Sequence, residues 1–478
     1  LPELLNQSGY DTIILSAFDS LDDLVTIDDL ALALEMRVAD LEATGFDVSS
    51  SAFVCHSTGA LVVRRWILNR RAAAATPAKA ALPARLISMA GANHGSSLAE
   101  IGKTPIGYLE KLLLKHVLSV GKQVLTDLEY GSDFLWRLND EWLTAWNDPT
   151  YPLCAQVLTF SLGGDFIGND PAVKLFWATC EAGCDNTVRI SGANLNYTIL
   201  DANPNANPPA ITPRALARPV PHLILAGYSH FDADTGILHA TTTSDTAFAA
   251  LLTALTTPAS GYDALALTWK ASNDAWIAGK HDDANSTVVF NLRDQWGSAI
   301  GDCMIAFWDE ADIPGDPRNV QLPPQRPPGS NYAPPSAETP AEAAMRQSVI
   351  TASLSSANAI LGNSPIQNDV ATGSYSFYLN YPTWIGDGSR HHAIYIEAVS
   401  DSQYIEYAPT IYRPSVDINR LIQPNQFTYV NVTLNRNPDN EYVFYKWTAA
   451  LDAAARAAAA WRPFPTLPNI IPPRPSSP

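Results

Sequence analysis

From the start of the chain to about residue 256, apolar runs of strand length alternate with longer stretches of helical period. Strands are predicted at Thr12–Ala17, Ser51–Cys55, Leu86–Ala90, Ala155–Ser161 and His222–Ala226, and helices around Thr26–Thr44, Gly59–Arg71, Ile106–Leu128 and Thr243–Leu255. This alternation predicts an α/β sheet with crossover helices. From about residue 257 the period changes. β-Branched and aromatic residues alternate in Thr287–Arg293, Cys303–Trp308, Tyr375–Tyr381, Ala393–Glu397 and Phe427–Leu434, separated by Gly, Pro, Asn and Asp. That pattern predicts a mainly antiparallel, sandwich-like β domain.

The expected organisation is therefore a first domain over 1–256, a β-rich domain over 257–440, and a terminal region over 441–478. Within the second lies a Pro-rich stretch, 313–340, read as an extended loop. In the third, Ala-rich Tyr442–Trp461 reads as a helix, and Pro463–Pro478 as a disordered or polyproline-like tail. A length of 478 residues accommodates two or three such domains.

Charge narrows the partners. With 48 acidic against 30 basic residues the formal net charge is −18, a field that repels phosphate backbones and anionic surfaces, so nucleic acid is not an expected partner. No apolar run reaches spanning length and no leader pattern opens the chain, so neither a transmembrane segment nor a signal peptide is expected. Of the five cysteines, Cys180 and Cys184 flank Glu-Ala-Gly and could close as a disulfide in an oxidising compartment. With the acidic surface, this leans towards an extracellular location. Two cysteines without further ligands make no zinc site, and His391-His392 reads as surface.

The chemistry centres on Ser57. Residues 51–66 are a strand that stops at this serine and passes directly into an amphipathic helix, the geometry of a nucleophile elbow. Positions two before and two after the nucleophile must be small so that strand and helix can approach; here they are Cys55 and Gly59. His56-Ser57-Thr58-Gly59, followed by Leu86-Ile-Ser-Met-Ala-Gly-Ala-Asn-His-Gly-Ser96, resembles the bacterial lipases and esterases of the α/β-hydrolase superfamily over about residues 1–256. The resemblance implies an ester hydrolase, and it is silent on the C-terminal half.

A serine hydroxyl needs a histidine to take its proton and a carboxylate to orient that histidine, in the chain order Ser, acid, His. Asp185, in Gly-Cys-Asp-Asn-Thr-Val, is similar to the family's Asp-Gly-x-Val signature with Asn186 in place of Gly; Asp165 is the alternative acid. His230 follows a strand at its C-terminal end, where functional groups of an open α/β sheet collect, and is preferred over His222 and His239. His56 is expected to point away along the pleat and pack locally, and His94 to be structural. For the oxyanion, one donor is the Thr58 backbone N–H; the second is expected from a segment ahead of Leu1, as though the chain began inside the catalytic domain.

The insertion at 96–151 carries an apolar stretch, Ile106–Leu118, expected to form a helical lid suited to lipid or other hydrophobic esters. No metal or organic cofactor is required. The same triad would serve an acyltransferase, thioesterase or amidase, and a second alternative is a catalytically weak remnant acting as a binding module.

Overall fold

The computed structural model describes residues 1–15, 23–96, 99, 121–167, 182–203, 210–280, 283–301, 303–309, 359–361, 366–385, 392–398, 405–407, 410–412 and 421–438. The expected lid helix over Ile106–Leu118, the Pro-rich stretch 313–340, the Ala-rich helix with its tail, and Cys180 all lie outside these residues.

Four strands, β1 (Ala52–His56), β2 (Arg85–Met89), β3 (Leu158–Gly164) and β6 (His222–Leu225), form a sheet in the order β1-β2-β3-β6. Every pairing is parallel. Parallel strands need crossovers that cover both faces, and their residues are accordingly apolar on both sides. Leu86 of β2 joins a core with Trp66, Leu135 and Trp142. Its neighbour Ile87 joins the opposite core with Phe160, Leu251 and Trp269.

The helices supply those cores. α1 (Ile27–Ala43) opens with a capping box between Thr26 and Asp29 and packs on α2 (Gly59–Ala73), where Arg70 bridges Glu35 and Glu42. α3 (Asp133–Trp146) buries Trp142 and Trp146 on the same face. α4 (Thr246–Thr256) and α5 (Tyr262–Gly279) cover the other. The sequence pattern missed α5, which begins after residue 257 yet belongs to the first sheet: Asn273 accepts from Ile224 N–H and donates to the carbonyl of His222.

One predicted strand is absent in its described part. Thr12–Leu15 forms no strand, and Ile13, Ile14 and Leu15 are 54%, 69% and 46% exposed. An apolar run satisfies its backbone in a sheet only where a partner strand lies beside it.

The second sheet has six strands in the order β5-β4-β14-β7-β10-β9. They are β4 (Tyr197–Asn203), β5 (Ala210–Ala215), β7 (Asn285–Asp294), β9 (Ile366–Gln367), β10 (Ser374–Asn380) and β14 (Phe427–Leu434). β14 is central and parallel to both neighbours, with Phe427 opposite Tyr197 on one side and Thr287 on the other; the remaining pairings are antiparallel. β4 and β5 come from before residue 257 and escape the sequence pattern. β5 carries Pro213, tolerable because β5 is an edge strand.

This sheet is buried on both faces. Ile199, Val289, Phe427 and Tyr429 enter the core that contains Trp66 and Trp142. Leu200, Val288, Phe290 and Val430 enter another, shared with Phe307, Ile394 and Ile396 of a three-stranded antiparallel sheet of β8 (Cys303–Asp309), β11 (His392–Ala398) and β13 (Thr410–Tyr412). His392 is buried rather than surface: its ring stacks on Trp384 at 3.7 Å between centroids and its Nε2 hydrogen-bonds the Trp384 carbonyl.

Candidate active site

Ser57 sits at the turn between β1 and α2 with φ of 54°, the left-handed region that a non-glycine residue rarely occupies. Its surroundings hold it there. The Ser57 carbonyl accepts from Ala60 N–H and Ala92 N–H, both at 3.2 Å, tying the elbow to the loop after β2. That loop can approach because residue 91 is glycine: a Cβ there would lie 2.0 Å from Ser88 Oγ and 2.8 Å from Ala60 Cβ. Cys55 fits two residues before Ser57, since even a Cβ on Gly59 would stay 4.0 Å from its own. Burial pushes the Cys55 thiol up to about 12, so it offers no competing thiolate.

Asp185 and His230 are brought together, each 1% exposed, with Nδ1 of His230 2.9 Å from Oδ2 of Asp185. The other carboxylate oxygen accepts from the backbone N–H groups of Thr187 and Val188, and the Asp185 carbonyl accepts from His230 N–H at 2.9 Å. Both partners are thus fixed by backbone as well as side chain. Asn186 takes φ of 79°, a left-handed turn that its short polar side chain tolerates. Gly164, at the end of β3, is where the two segments cross. A Cβ there would fall 2.2 Å from the Tyr228 carbonyl oxygen and 3.1 Å from Asp185 Cβ.

A carboxylate only accepts, so Nδ1 of His230 carries the proton and Nε2 the lone pair. Nε2 is covered and, among the described residues, has no hydrogen-bond partner, Ser57 Oγ included. The nitrogen suited to act as a base is therefore uncommitted.

The alternatives are placed elsewhere. Asp165 accepts from Gly227 N–H at 2.6 Å and Trp276 Nε1–H at 2.8 Å, bracing the turn after β6. His222 is buried against Ser161 Oγ at 2.9 Å, and burial pushes its pKa down to about 3. His239 is exposed. Where the sequence reading went astray is His56. The pleat argument points it away, but the backbone reverses at Ser57, and its ring lies 4.6 Å from that of His230.

His94 is structural, at the centre of a buried network. Its Nε2 faces the Asn194 carbonyl at 3.0 Å and must donate, so Nδ1 accepts from the Tyr429 hydroxyl at 3.1 Å. That hydroxyl accepts in turn from Asn139 Nδ2 at 2.8 Å, while Arg64 donates to Asn139 Oδ1 and to the Asn93 carbonyl. Phe427 stacks on the His94 ring at 4.7 Å. β14 of the second sheet thereby forms one wall of the loop that braces Ser57.

A four-stranded parallel sheet covered by helices on both faces and joined to a mainly antiparallel second sheet is a fold of the α/β-hydrolase kind. Among solved structures the chain is similar to phospholipase PlaB from Legionella pneumophila, at 22% identity and TM-score 0.70, covering 94% of this chain and 92% of that one. The same phospholipase in complex with thio-NAD is similar at 23% identity and TM-score 0.69, with the same coverage. No family model matches the sequence, and no curated protein matches it.

Proposed function

We propose that this chain is a serine hydrolase of carboxylic esters acting on lipids, with phospholipids the first substrates to test. The observation that carries the reading is the buried Asp185–His230 pair at 2.9 Å, its ring 4.6 Å from that of His56, the residue that precedes a serine held at positive φ. The fold shared with a phospholipase supports the lipid class.

In this mechanism His230 takes the Ser57 proton through Nε2 as Oγ attacks the ester carbonyl. Asp185 holds the ring in the productive tautomer and stabilises the imidazolium. The Thr58 N–H, at the N-terminus of α2, donates to the developing oxyanion, where the helix dipole adds to it. The imidazolium then protonates the leaving alcohol, and water, deprotonated by His230, resolves the acyl-enzyme.

The test is hydrolysis of p-nitrophenyl esters from acetyl to palmitoyl, and of phosphatidylcholine micelles, alongside a fluorophosphonate probe. Hydrolysis and labelling are expected in the native chain and lost in Ser57→Ala, with a drop of about 10⁴-fold or more. Turnover that survives Ser57→Ala would overturn the assignment. Acyl transfer to an added alcohol outpacing hydrolysis would instead favour an acyltransferase.

A further inference from the structure

We propose that His56 is a positioning residue for the base: a neutral imidazole, packed against His230, that steadies the imidazolium formed when His230 takes the Ser57 proton. The inference rests on the Ser57–Asp185–His230 reading above and adds a participant to it.

Three rings form one cluster. His56 and His230 lie 4.6 Å apart between centroids with 43° between their planes; Phe231 meets His230 edge-on at 4.3 Å and His56 at 5.9 Å. His56 ends β1 and immediately precedes the nucleophile, so its ring is fixed by the strand that carries the elbow. Its Nε2 is covered and, among the described residues, without a hydrogen-bond partner. Among the described residues, the titratable groups recorded against the His230 ring are Asp185, at Nδ1, and His56.

The charge state of His56 decides what it does. Burial first, and then the neighbouring His230, push its pKa down to about 3, so it stays neutral while His230 cycles. A neutral aromatic ring attracts an adjacent cation, most strongly where water is excluded. A protonated His56 would repel it instead. Asp185 compensates the imidazolium at one edge of the ring, and His56 supplies a polarisable surface beside it.

The test uses the full chain, with His56→Leu, which keeps an apolar group but removes the ring, and His56→Phe, which restores an aromatic surface that cannot titrate. With p-nitrophenyl butyrate, His56→Leu is expected to lower kcat about tenfold with KM within about twofold, and to move the acidic limb of kcat/KM to lower pH. His56→Phe is expected to recover kcat to within about threefold and to return the limb. Should His56→Leu fail to fold, His56→Gln is compared with His56→Phe on the same readouts, with the same loss expected. An unchanged kcat and limb in the ring-deleted variant, a limb moving to higher pH, or equal impairment of the ring-deleted and Phe variants would each overturn the inference. If the native chain labels at Ser57 but these results fail, His56 alone is excluded. A native chain inert to ester and fluorophosphonate, indistinguishable from Ser57→Ala, removes the triad and this inference with it.

Discussion

Asp185→Asn separates orientation by a charge from mere packing. The native carboxylate receives three hydrogens: two backbone N–H groups on Oδ1 and His230 Nδ1–H on Oδ2. An asparagine has one accepting oxygen. The two backbone donors, at 3.1 and 2.8 Å, claim it, and the amide NH₂ is left facing His230. Nδ1 must then accept, the ring proton moves to Nε2, and the nitrogen proposed as the base becomes a donor that cannot take the serine proton. Reversing a tautomer in this arrangement costs about 10⁴-fold in kcat, or roughly 5.5 kcal/mol. The shape of the loop is retained, so fluorophosphonate labelling should slow in parallel while the melting temperature changes little. The contrast is Asp165→Asn, which weakens one of two neutral hydrogen bonds and the ion pair with Lys280 at 3.8 Å, at a brace outside the proposed triad, and should keep kcat within about threefold. Asp185→Asn within tenfold of native, or a larger loss in Asp165→Asn, would refute the assignment of the acid.

Tyr429→Phe leaves His94 Nδ1 without its donor and one Asn139 N–H without its acceptor in a fully buried site, a loss of about 2–4 kcal/mol of stability by denaturant titration. Tyr151→Phe, at a residue 38% exposed, should change it by less than about 0.5 kcal/mol. Gly164→Ala forces the Tyr228 carbonyl away from 2.2 Å and carries His230 with it; kcat should fall about 100-fold or more while circular dichroism is unchanged. Stability should also fall in acid through two buried histidines. Burial holds His222 at about 3, and burial together with Arg64 holds His94 well below its ordinary value, whereas both accept protons near 6.5 once unfolded. Between these limits the unfolded state binds more protons, so stability present above pH 6.5 is lost as pH falls, at up to about 1.4 kcal/mol per histidine per pH unit. His222→Asn should flatten the acid arm of a melting-temperature profile; an equally steep arm would refute the account.

The parts of the molecule legible in the sequence are those governed by local patterns. Strand-turn-helix at 51–66 exposes the elbow because the φ of Ser57 is dictated by an immediate neighbourhood of small residues. Asp185 rather than Asp165 meets His230, and the turn chemistry of Asp-Asn-Thr-Val that shapes its loop is local too. Thr12–Leu15 misleads for the opposite reason: whether an apolar run becomes a strand depends on a neighbour far away in sequence. β4 and β5 were hidden likewise, since their identity as strands comes from pairing with β14. The contact between His56 and His230 has no sequence signal beyond adjacency to Ser57, because a loop more than 170 positions later supplies the partner ring.

The central place of β14 has a bearing on how the protein is born. A ribosome delivers β4 early and β7 next, yet both are neighbours of a strand made last among the three. At about 5–20 residues per second, the interval from Asn203 to Phe427 occupies roughly ten to forty-five seconds. From residue 230 onwards the nascent chain already contains Ser57, Asp185 and His230, while the His94 loop beside Ser57 waits for the rings of Phe427 and Tyr429. Completion of the candidate site is thereby timed to the arrival of a strand that contributes none of its three proposed residues, and a chain cut short before Phe427 is left with Ser57, Asp185 and His230 and without that wall.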